Sequence, residues 1–293
     1  MEIGFLGFGE AASCIAKGLA EEETKVSLTA YDILLNVTGK KELCLKRMEG
    51  SYTIPVYTPK EAVEGKEIVI VAVPSNYASA TLGEAVDFLE EGCIYVDVST
   101  AAPSEKKEIA KCVEKQGARF VDGAMLGPLL QYRHKVPMLL SGSGSGELIE
   151  RMKPYHMNLT EVQGEAGTAT SIKFIRSIAA KGIACILFEA LQAAQHFGVE
   201  DMIVDSLCES YGASFEKVID GYVSGTVIHA GRREHEMQNV TDMLREAELP
   251  CEMTEVTRQK LSGIAKLDIP SRFKNGVPRS WRGVLKEWGM NSK

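Results

Sequence analysis

The sequence lacks the features of several protein classes. It has no apolar run long enough to span a bilayer, and its N-terminus, which begins with acidic Glu2 and is soon interrupted by Gly and Ser, does not resemble a signal peptide. Its 7 cysteines are scattered and never spaced as Cys-x-x-Cys, a pattern that disfavours a disulfide framework or a zinc site. We therefore expect a cytoplasmic protein with reduced thiols and no membrane partner.

A surplus of positive charge is also missing. The chain carries 33 Lys and Arg against 40 Asp and Glu, a net charge of −7, whereas a dominant nucleic-acid surface needs a basic excess. His229 and His235 lie six residues apart, too far around a helix to share one face. We expect neither a nucleic-acid partner nor a bound metal.

What is present in the first half is an alternation of strand and helix patterns. Residues 2–6 and 26–31 have strand patterns, with helical spacing of apolar residues between them. The continuous β-branched runs IVIVAVP and CIYVDVS are typical of parallel strands buried on both faces. Later strands are expected at 118–123 and 136–142, with helices at 77–89 and 104–116. This order predicts an α/β fold with a doubly wound sheet.

A glycine pattern, GFGEAA, lies between the first strand and the first helix. Gly7 permits a tight turn, Gly9 lets the backbone approach a pyrophosphate, and Ala12 stands where helix and strand pack. Asp32 ends the second strand, where its carboxylate can accept hydrogen bonds from ribose hydroxyls and repel a 2′-phosphate. We predict an NAD or NADP site with NAD favoured. The alternatives are a glycine turn that binds another ligand and, for Asp32, a solvated carboxylate at a strand end.

The alternation stops after residue 163. Residues 166–197 contain no proline, are rich in Ala, Ile and Leu, and are followed by Gly198, which predicts one long helix. We therefore predict two domains: residues 1–163 as a dinucleotide-binding domain and residues 164–293 as an all-α domain for substrate binding and dimerisation. Because the segment IACILFEALQAA is too apolar to remain in water, we expect a homodimer.

The long helix contains a polar group of residues near its start. Lys173, Arg176 and Ser177 are spaced i, i+3 and i+4, which places their side chains on one face. They would face the cofactor cleft as a basic and hydroxyl patch. The alternative is that Lys173 and Arg176 extend from an amphipathic helix to solvent.

Five stretches in the same order along the chain resemble the β-hydroxyacid dehydrogenase family, which is related to 6-phosphogluconate dehydrogenase. They are IGFLGFGEAAS, VAVPS, YVDVSTAAP, FVDGAMLGP and GEAGTATSIKFIRS. The segments KFIRSIAAKG and HAGRREHEMQNV resemble a variant branch whose phosphogluconate-dehydrogenase-like C-terminal domain has no assigned function. The resemblance implies an N-terminal Rossmann domain, an all-α C-terminal domain, and hydride transfer between NAD or NADP and a small hydroxy acid or its oxo form.

The resemblance also implies roles for individual residues. Lys173 would be the general acid and base, assisted by Ser177, which stands where the family usually has asparagine. The implied cofactor-binding residues are Gly7, Phe8, Gly9, Glu10, Ala11, Asp32, Val73, Pro74, Ser99 and Thr100. The implied substrate-binding residues are Leu126, Gly127, Arg176 and Arg233.

Two features leave the substrate open. Leu126, Gly127 and Pro128 replace the family's Ser-Gly-Gly, so a hydroxyl and an N–H donor are lost from the substrate loop. Arg232 or Arg233 would bind an anionic substrate group, unless they form a solvated helix face with Glu234 and Glu236. The alternatives are a reductase of imines or other carbonyls, a dinucleotide-binding regulator without turnover, and a dimeric structural module.

Overall fold

The computed structural model describes residues 1–273 and 276–289. The chain divides into two compact units, Met1–Lys173 and Phe174–Lys293. The first unit therefore extends beyond residue 163, where the sequence places the domain boundary. The difference arises because the long helix that begins at Thr168 is bonded to the sheet through the backbone N–H groups of Ala169 and Thr170.

The first unit is built on one sheet with the order β3-β2-β1-β4-β5-β6-β7-β8. Its strands are β1 (Glu2–Leu6), β2 (Ser27–Tyr31), β3 (Ile54–Val56), β4 (Ile68–Val71), β5 (Ile94–Asp97), β6 (Arg119–Met125), β7 (Met138–Ser141) and β8 (Leu159–Glu161). Neighbouring strands are parallel except β6 and β7, which pair antiparallel. The chain crosses from β3 at one edge to β4 on the other side of β1, so the strand order reverses there.

Helices cover both faces of this sheet. They are α1 (Glu10–Ala20), α2 (Lys41–Met48), α3 (Pro59–Val63), α4 (Ala78–Ala85), α5 (Pro103–Glu114), α6 (Leu129–Tyr132) and α7 (Ser145–Met152). Strand β4 explains the layering, because Ile68 and Ile70 enter one apolar core whereas Val69 and Val71 enter the core on the opposite face. The predicted doubly wound α/β fold is confirmed.

The second unit is helical. Helix α8 (Thr168–Phe197) starts in the first unit and continues into the second, which adds α9 (Glu200–Tyr211), α10 (Phe215–Glu246), α11 (Glu252–Lys266) and α12 (Trp281–Gly289). One core of this unit contains Phe188, Ile219 and Trp281, and a smaller one contains Phe174 and Met237. No helix among residues 1–273 and 276–289 is both long and apolar enough to cross a membrane.

Candidate functional site

The turn after β1 needs glycine at its first position. Gly7 has a φ of +82°, and a Cβ atom there would lie 2.6 Å from Val73 Cγ1 and 2.8 Å from the Ala72 carbonyl oxygen. Its backbone N–H donates to the Tyr31 carbonyl oxygen at 2.8 Å. The turn is therefore packed closely between the ends of β2 and β4.

Gly9 has a different environment. It is the N-cap residue of α1, it has an ordinary φ of −80°, and no side chain caps the helix. A Cβ atom at Gly9 would meet no atom within 4 Å. The backbone at this point faces open space, next to helix N–H groups that lack intrahelical partners and can bind an anion.

Asp32 connects the second strand to the glycine turn. Its Oδ2 accepts from the Phe8 backbone N–H at 2.7 Å, and its Oδ1 accepts from the Leu34 backbone N–H at 2.9 Å. The carboxylate therefore holds two loops at the carboxyl edge of the sheet. Each carboxylate oxygen retains acceptor capacity for a hydroxyl group.

A cavity of about 430 Å³ opens at the carboxyl ends of β1, β2 and β4. Its walls include the glycine turn, residues 31–34 and residues 72–74. The cavity lies where the strand order reverses, which is the usual ligand position in open α/β sheets. A nicotinamide dinucleotide suits this arrangement, because the open backbone at Gly9 leaves room for the pyrophosphate and Asp32 can accept ribose hydroxyl groups.

Some of the predicted cofactor-binding residues line the cavity, and others do not. Gly7, Gly9, Asp32, Val73 and Pro74 line it, whereas Phe8, Glu10, Ala11, Ser99 and Thr100 do not. The Phe8 side chain is fully buried and its ring contacts Phe5, so only its backbone lies at the site. Arg47 and Tyr77 also line the cavity, although no sequence pattern indicated them.

Ser99 follows β5 and is buried. Its backbone N–H donates to Asp97 Oδ1 at 2.8 Å, and its Oγ accepts from the Ala101 backbone N–H at 3.3 Å. These bonds fix the turn that leads to Thr100, which is half-buried.

A buried charged cluster, which no sequence pattern predicts, lies beside this turn. Lys106 Nζ is 2.9 Å from Asp122 Oδ1 and 3.6 Å from Asp97 Oδ1, and the three side chains are almost fully buried. Burial alone would lower the pKa of Lys106. The two carboxylates have the larger combined effect, so its pKa lies above its ordinary value. Burial raises the pKa of Asp122, but Lys106 and hydrogen bonds from Thr170 lower it below its ordinary value. The lysine and Asp122 are therefore charged.

The predicted substrate loop follows β6. The Leu126 backbone N–H donates to the Pro137 carbonyl oxygen at 2.8 Å, while Gly127 and Pro128 are exposed. Leu126 supplies no side-chain donor, and Pro128 has no backbone N–H. The loop thus presents fewer hydrogen-bond donors than the Ser-Gly-Gly of the family.

The predicted catalytic residues lie on α8. Lys173 is half-buried and ends the first unit, and the second unit contains exposed Arg176 and half-buried Ser177. The spacing of the three residues within one regular helix gives them the same face.

The two neighbouring arginines of α10 have different environments. Arg232 is exposed and pairs with Glu236 at 3.1 Å. Arg233 Nη1 donates to the buried hydroxyl of Thr226, and burial lowers the pKa of Arg233. A Cβ atom at Gly225 would lie only 3.1 Å from Arg233 Nη2. The guanidinium therefore lies against the preceding part of the helix.

The helix is kinked between Thr226 and Arg233. Helix α10 has a non-helical residue at His229, with φ −118° and ψ 17°, between Thr226 and Arg233. Glu234 pairs with Arg258, and Glu236 pairs with Arg232 and with Lys181 Nζ at 2.9 Å. Burial is the larger effect on the pKa of Arg233 and lowers it below its ordinary value, although the charge of Glu236 raises it.

The described part of the chain contains no group of three His, Cys, Asp or Glu side chains that could hold a metal ion.

Residues 2–163 match the family of the NAD binding domain of 6-phosphogluconate dehydrogenase. Residues 194–264 match Domain of unknown function (DUF1932). Both matches agree with the resemblance found in the sequence, which is thereby confirmed.

Three similar proteins cover most of the chain. A conserved hypothetical protein from Sinorhizobium meliloti 1021 is 28% identical, with a TM-score of 0.78 over 99% of this chain and 96% of that chain. A conserved protein of unknown function with structural similarity to 3-hydroxyacid dehydrogenases is 26% identical, with a TM-score of 0.75 over 92% of this chain and 99% of that chain. The 2-hydroxy-3-oxopropionate reductase of Escherichia coli (strain K12) is 26% identical over 220 residues, 70% of this chain and 68% of that protein. The chain belongs to the family of NAD(P)-binding, 3-hydroxyacid dehydrogenase-like oxidoreductases that share the NAD binding domain of 6-phosphogluconate dehydrogenase.

Proposed function

We propose that this protein transfers hydride between a nicotinamide dinucleotide and a small hydroxy acid or its oxo form. The observation that carries the proposal is the cavity at the carboxyl ends of β1, β2 and β4, where Gly7, Gly9 and Asp32 meet the open N-terminus of α1. The 2-hydroxy-3-oxopropionate reductase relative supports the same reaction class.

NAD is the favoured cofactor because Asp32 offers acceptors to ribose hydroxyls and a negative charge against a 2′-phosphate. The backbone of Gly9 and the first turn of α1, with Glu10 and Ala11, would hold the pyrophosphate, and Phe8, whose N–H bonds Asp32, would keep the turn in place. Arg47, which lines the same cavity, makes NADP the second candidate because a guanidinium suits a phosphate group. Ser99 and Thr100 would lie near the nicotinamide end.

Lys173 would act on the substrate oxygen. A bound nicotinamide ring supplies or accepts the hydride. In reduction, the Lys173 ammonium group donates a proton to the carbonyl oxygen as the carbinol forms, and in oxidation its neutral amine accepts the hydroxyl proton. Ser177, one turn further along the helix, would hydrogen-bond the lysine and hold it in place.

The substrate is proposed to be anionic. Arg233 would bind its charged group, since this guanidinium is partly buried and carries five N–H donors, one of which bonds the Thr226 hydroxyl. Arg176, Leu126 and Gly127 would complete the substrate site. Because Leu126 and Pro128 remove two donors from the substrate loop, reduction of an imine or another carbonyl is the second candidate reaction.

A homodimer is proposed from the surface of α8. Ile175, Ile183 and Ile186 are 59%, 42% and 59% exposed, and Phe197 is 75% exposed. Their spacing places them along one face of the helix, and a continuous apolar stripe of this kind requires a covering surface. A second copy of the chain presents the same stripe and can cover it.

The test is absorbance at the nicotinamide band with NAD and NADP over a panel of 2- and 3-hydroxy acids and their oxo forms. Wild type is compared with Lys173→Ala and with Lys217→Ala, a matched change at an exposed lysine of α10. Turnover in wild type and Lys217→Ala, reduced at least 100-fold in Lys173→Ala, is expected. Equal turnover in Lys173→Ala would refute its role, and no turnover in a wild type that binds the dinucleotide would exclude the hydroxy acids of the panel.

A further inference from the structure

The starting observation is that two carboxylates from neighbouring strands share one buried lysine. Asp97 in β5 and Asp122 in β6 are paired residues of the parallel ladder, so their side chains lie on the same face. Lys106, from α5, lies between them with no exposed side-chain surface and also donates to the Asp97 carbonyl oxygen at 2.8 Å. The cluster therefore joins β5, β6 and α5.

The same cluster holds the start of α8. Asp122 Oδ2 accepts from the Thr170 backbone N–H at 2.9 Å, and Asp122 Oδ1 accepts from Thr170 Oγ1 at 2.6 Å. Ser141 Oγ accepts from the Ala169 backbone N–H at 3.0 Å. Two N–H groups of the first turn, which a helix leaves without intrahelical partners, are thus bonded by side chains of β6 and β7. The charge of Asp122 also lies at the positive end of the helix.

Stability alone does not account for this cluster. Two carboxylates and one ammonium group are removed from water, and Asp97 Oδ2 has no hydrogen-bond partner within the described residues. Replacing such a buried ionic group by well-packed apolar residues is often neutral or stabilising. What apolar residues would not provide is a directional bond to one face of the first turn of α8.

We propose that Lys106 is a positioning residue for the reacting end of α8. By orienting Asp122, Lys106 sets how the first turn of α8, which contains Thr170, is rotated about the helix axis and how close this turn lies to the sheet. Lys173 follows three residues later, almost one helical turn, and therefore moves with Thr170. Through Asp97 and its bond to the Ser99 backbone N–H, the same lysine fixes the turn after β5. This inference rests on the proposed role of Lys173.

The first variant removes one of the two hydrogen bonds that join Asp122 to α8 and leaves the three charges in place. Thr170→Val removes the hydroxyl donor and keeps the side-chain volume, and Thr170→Ser restores the hydroxyl. Thr53→Val is the matched control, because Thr53 is also buried and its hydroxyl bonds another side chain, Ser51 Oγ, at 2.8 Å. The measurements are kcat, KM for the dinucleotide, and amide hydrogen exchange of residues 169–173.

In Thr170→Val we expect kcat to fall about tenfold and exchange at residues 169–173 to quicken about tenfold, with KM for the dinucleotide unchanged. Thr170→Ser should return both values to within about twofold of wild type, and Thr53→Val should change neither. Unchanged kcat and exchange in Thr170→Val, or equal effects in Thr53→Val, would overturn the proposal. A fall in dinucleotide affinity that matches the fall in kcat would also overturn it, since it would indicate general damage to the domain.

A second variant removes the charges together, so that no single buried charge is left unpaired. The triple change Asp97→Asn, Lys106→Met and Asp122→Asn is expected to fold and bind the dinucleotide while kcat falls about 100-fold. A triple variant with wild-type kcat refutes the proposal. If wild type has no Lys173-dependent turnover, the proposed function fails, but exchange at residues 169–173 still decides the positioning role of the cluster.

Discussion

The backbone N–H of Phe8 donates a hydrogen bond to Asp32 Oδ2 at 2.7 Å. The residue proposed to bind the ribose therefore also holds the glycine turn proposed to bind the pyrophosphate. Since Leu34 bonds the other oxygen at 2.9 Å, both loops depend on one carboxylate. Loss of this carboxylate should change cofactor affinity and cofactor choice together.

Asp32→Asn tests this dual role. The amide keeps the shape of the side chain but loses the charge and one acceptor oxygen, so we expect NAD affinity to fall about tenfold and the preference for NAD over NADP to shrink. Isothermal titration with each dinucleotide measures both effects, with the exposed Asp87→Asn as control. An equal change of the NAD and NADP affinities would contradict the proposed repulsion of the 2′-phosphate.

The two glycines of the turn should respond differently to alanine. In Gly9→Ala the methyl group enters open space, so the free energy of unfolding should stay within about 0.5 kcal/mol of wild type while dinucleotide affinity falls at least tenfold. In Gly7→Ala the methyl group meets Val73 and the Ala72 carbonyl at a positive φ, which should destabilise the fold by about 2 kcal/mol. Urea unfolding and titration separate the two effects. Wild-type affinity in Gly9→Ala would place the pyrophosphate elsewhere.

Local patterns predict six strands of the sheet, the glycine turn and Asp32, because each of these signals is local, whereas the short edge strands β3 and β8 have too few residues to show a pattern. The buried cluster was not predictable, since Asp97 and Asp122 lie inside apolar runs and meet Lys106 only when two strands pair in register. The contacts of Arg233 could not be predicted from the sequence for a similar reason. Arg233 bonds Thr226 across the non-helical residue His229, and no local sequence pattern indicates a bond between these two positions of α10.

Replacement of each neighbouring arginine of α10 tests the proposed anion site. Arg233→Met should raise KM for an anionic substrate about 100-fold, because the charge-assisted hydrogen bond is lost from a partly buried position. Arg232→Met removes the same charge from an exposed side chain and should change KM less than about twofold. Steady-state kinetics with a charged substrate and its neutral ester provide the measurement. Equal effects of the two replacements would indicate a general electrostatic effect and no specific site.

The apolar stripe on α8 leads to a prediction about assembly. Ile186→Glu places a charge in the stripe and should convert the dimer to monomers at micromolar concentration, because burying an unpaired carboxylate is costly. Leu43→Glu, a matched change at an exposed leucine of α2, should leave the dimer intact. Sedimentation equilibrium measures both. A monomeric wild type, or a dimeric Ile186→Glu, would show that this stripe is not the dimer surface.

Three basic side chains converge on Glu22, two residues after the end of α1. Its carboxylate lies 2.8 Å from Lys135 Nζ, from His156 Nδ1 and from His134 Nε2. Hydrogen bonds from Lys135 and His156 are the main causes that lower the pKa of Glu22 to about 2. Burial lowers the pKa of His134 below its ordinary value of 6.5, since the protonated ring would be desolvated. Both shifts therefore affect stability in acid.

Each of these shifts makes the unfolded chain bind more protons than the folded chain as the pH falls. The His134 contribution to stability is lost as the pH falls below 6.5, and the Glu22 contribution is lost between pH 4.5 and about 2. Glu22→Gln should therefore lower the free energy of unfolding at pH 7, and its deficit relative to wild type should shrink below pH 4.5. Urea unfolding at a series of pH values measures this, with the neighbouring exposed Glu23→Gln as control. A Glu22→Gln deficit that stayed constant from pH 7 to pH 2.5 would mean that these hydrogen bonds do not stabilise the charged form of Glu22.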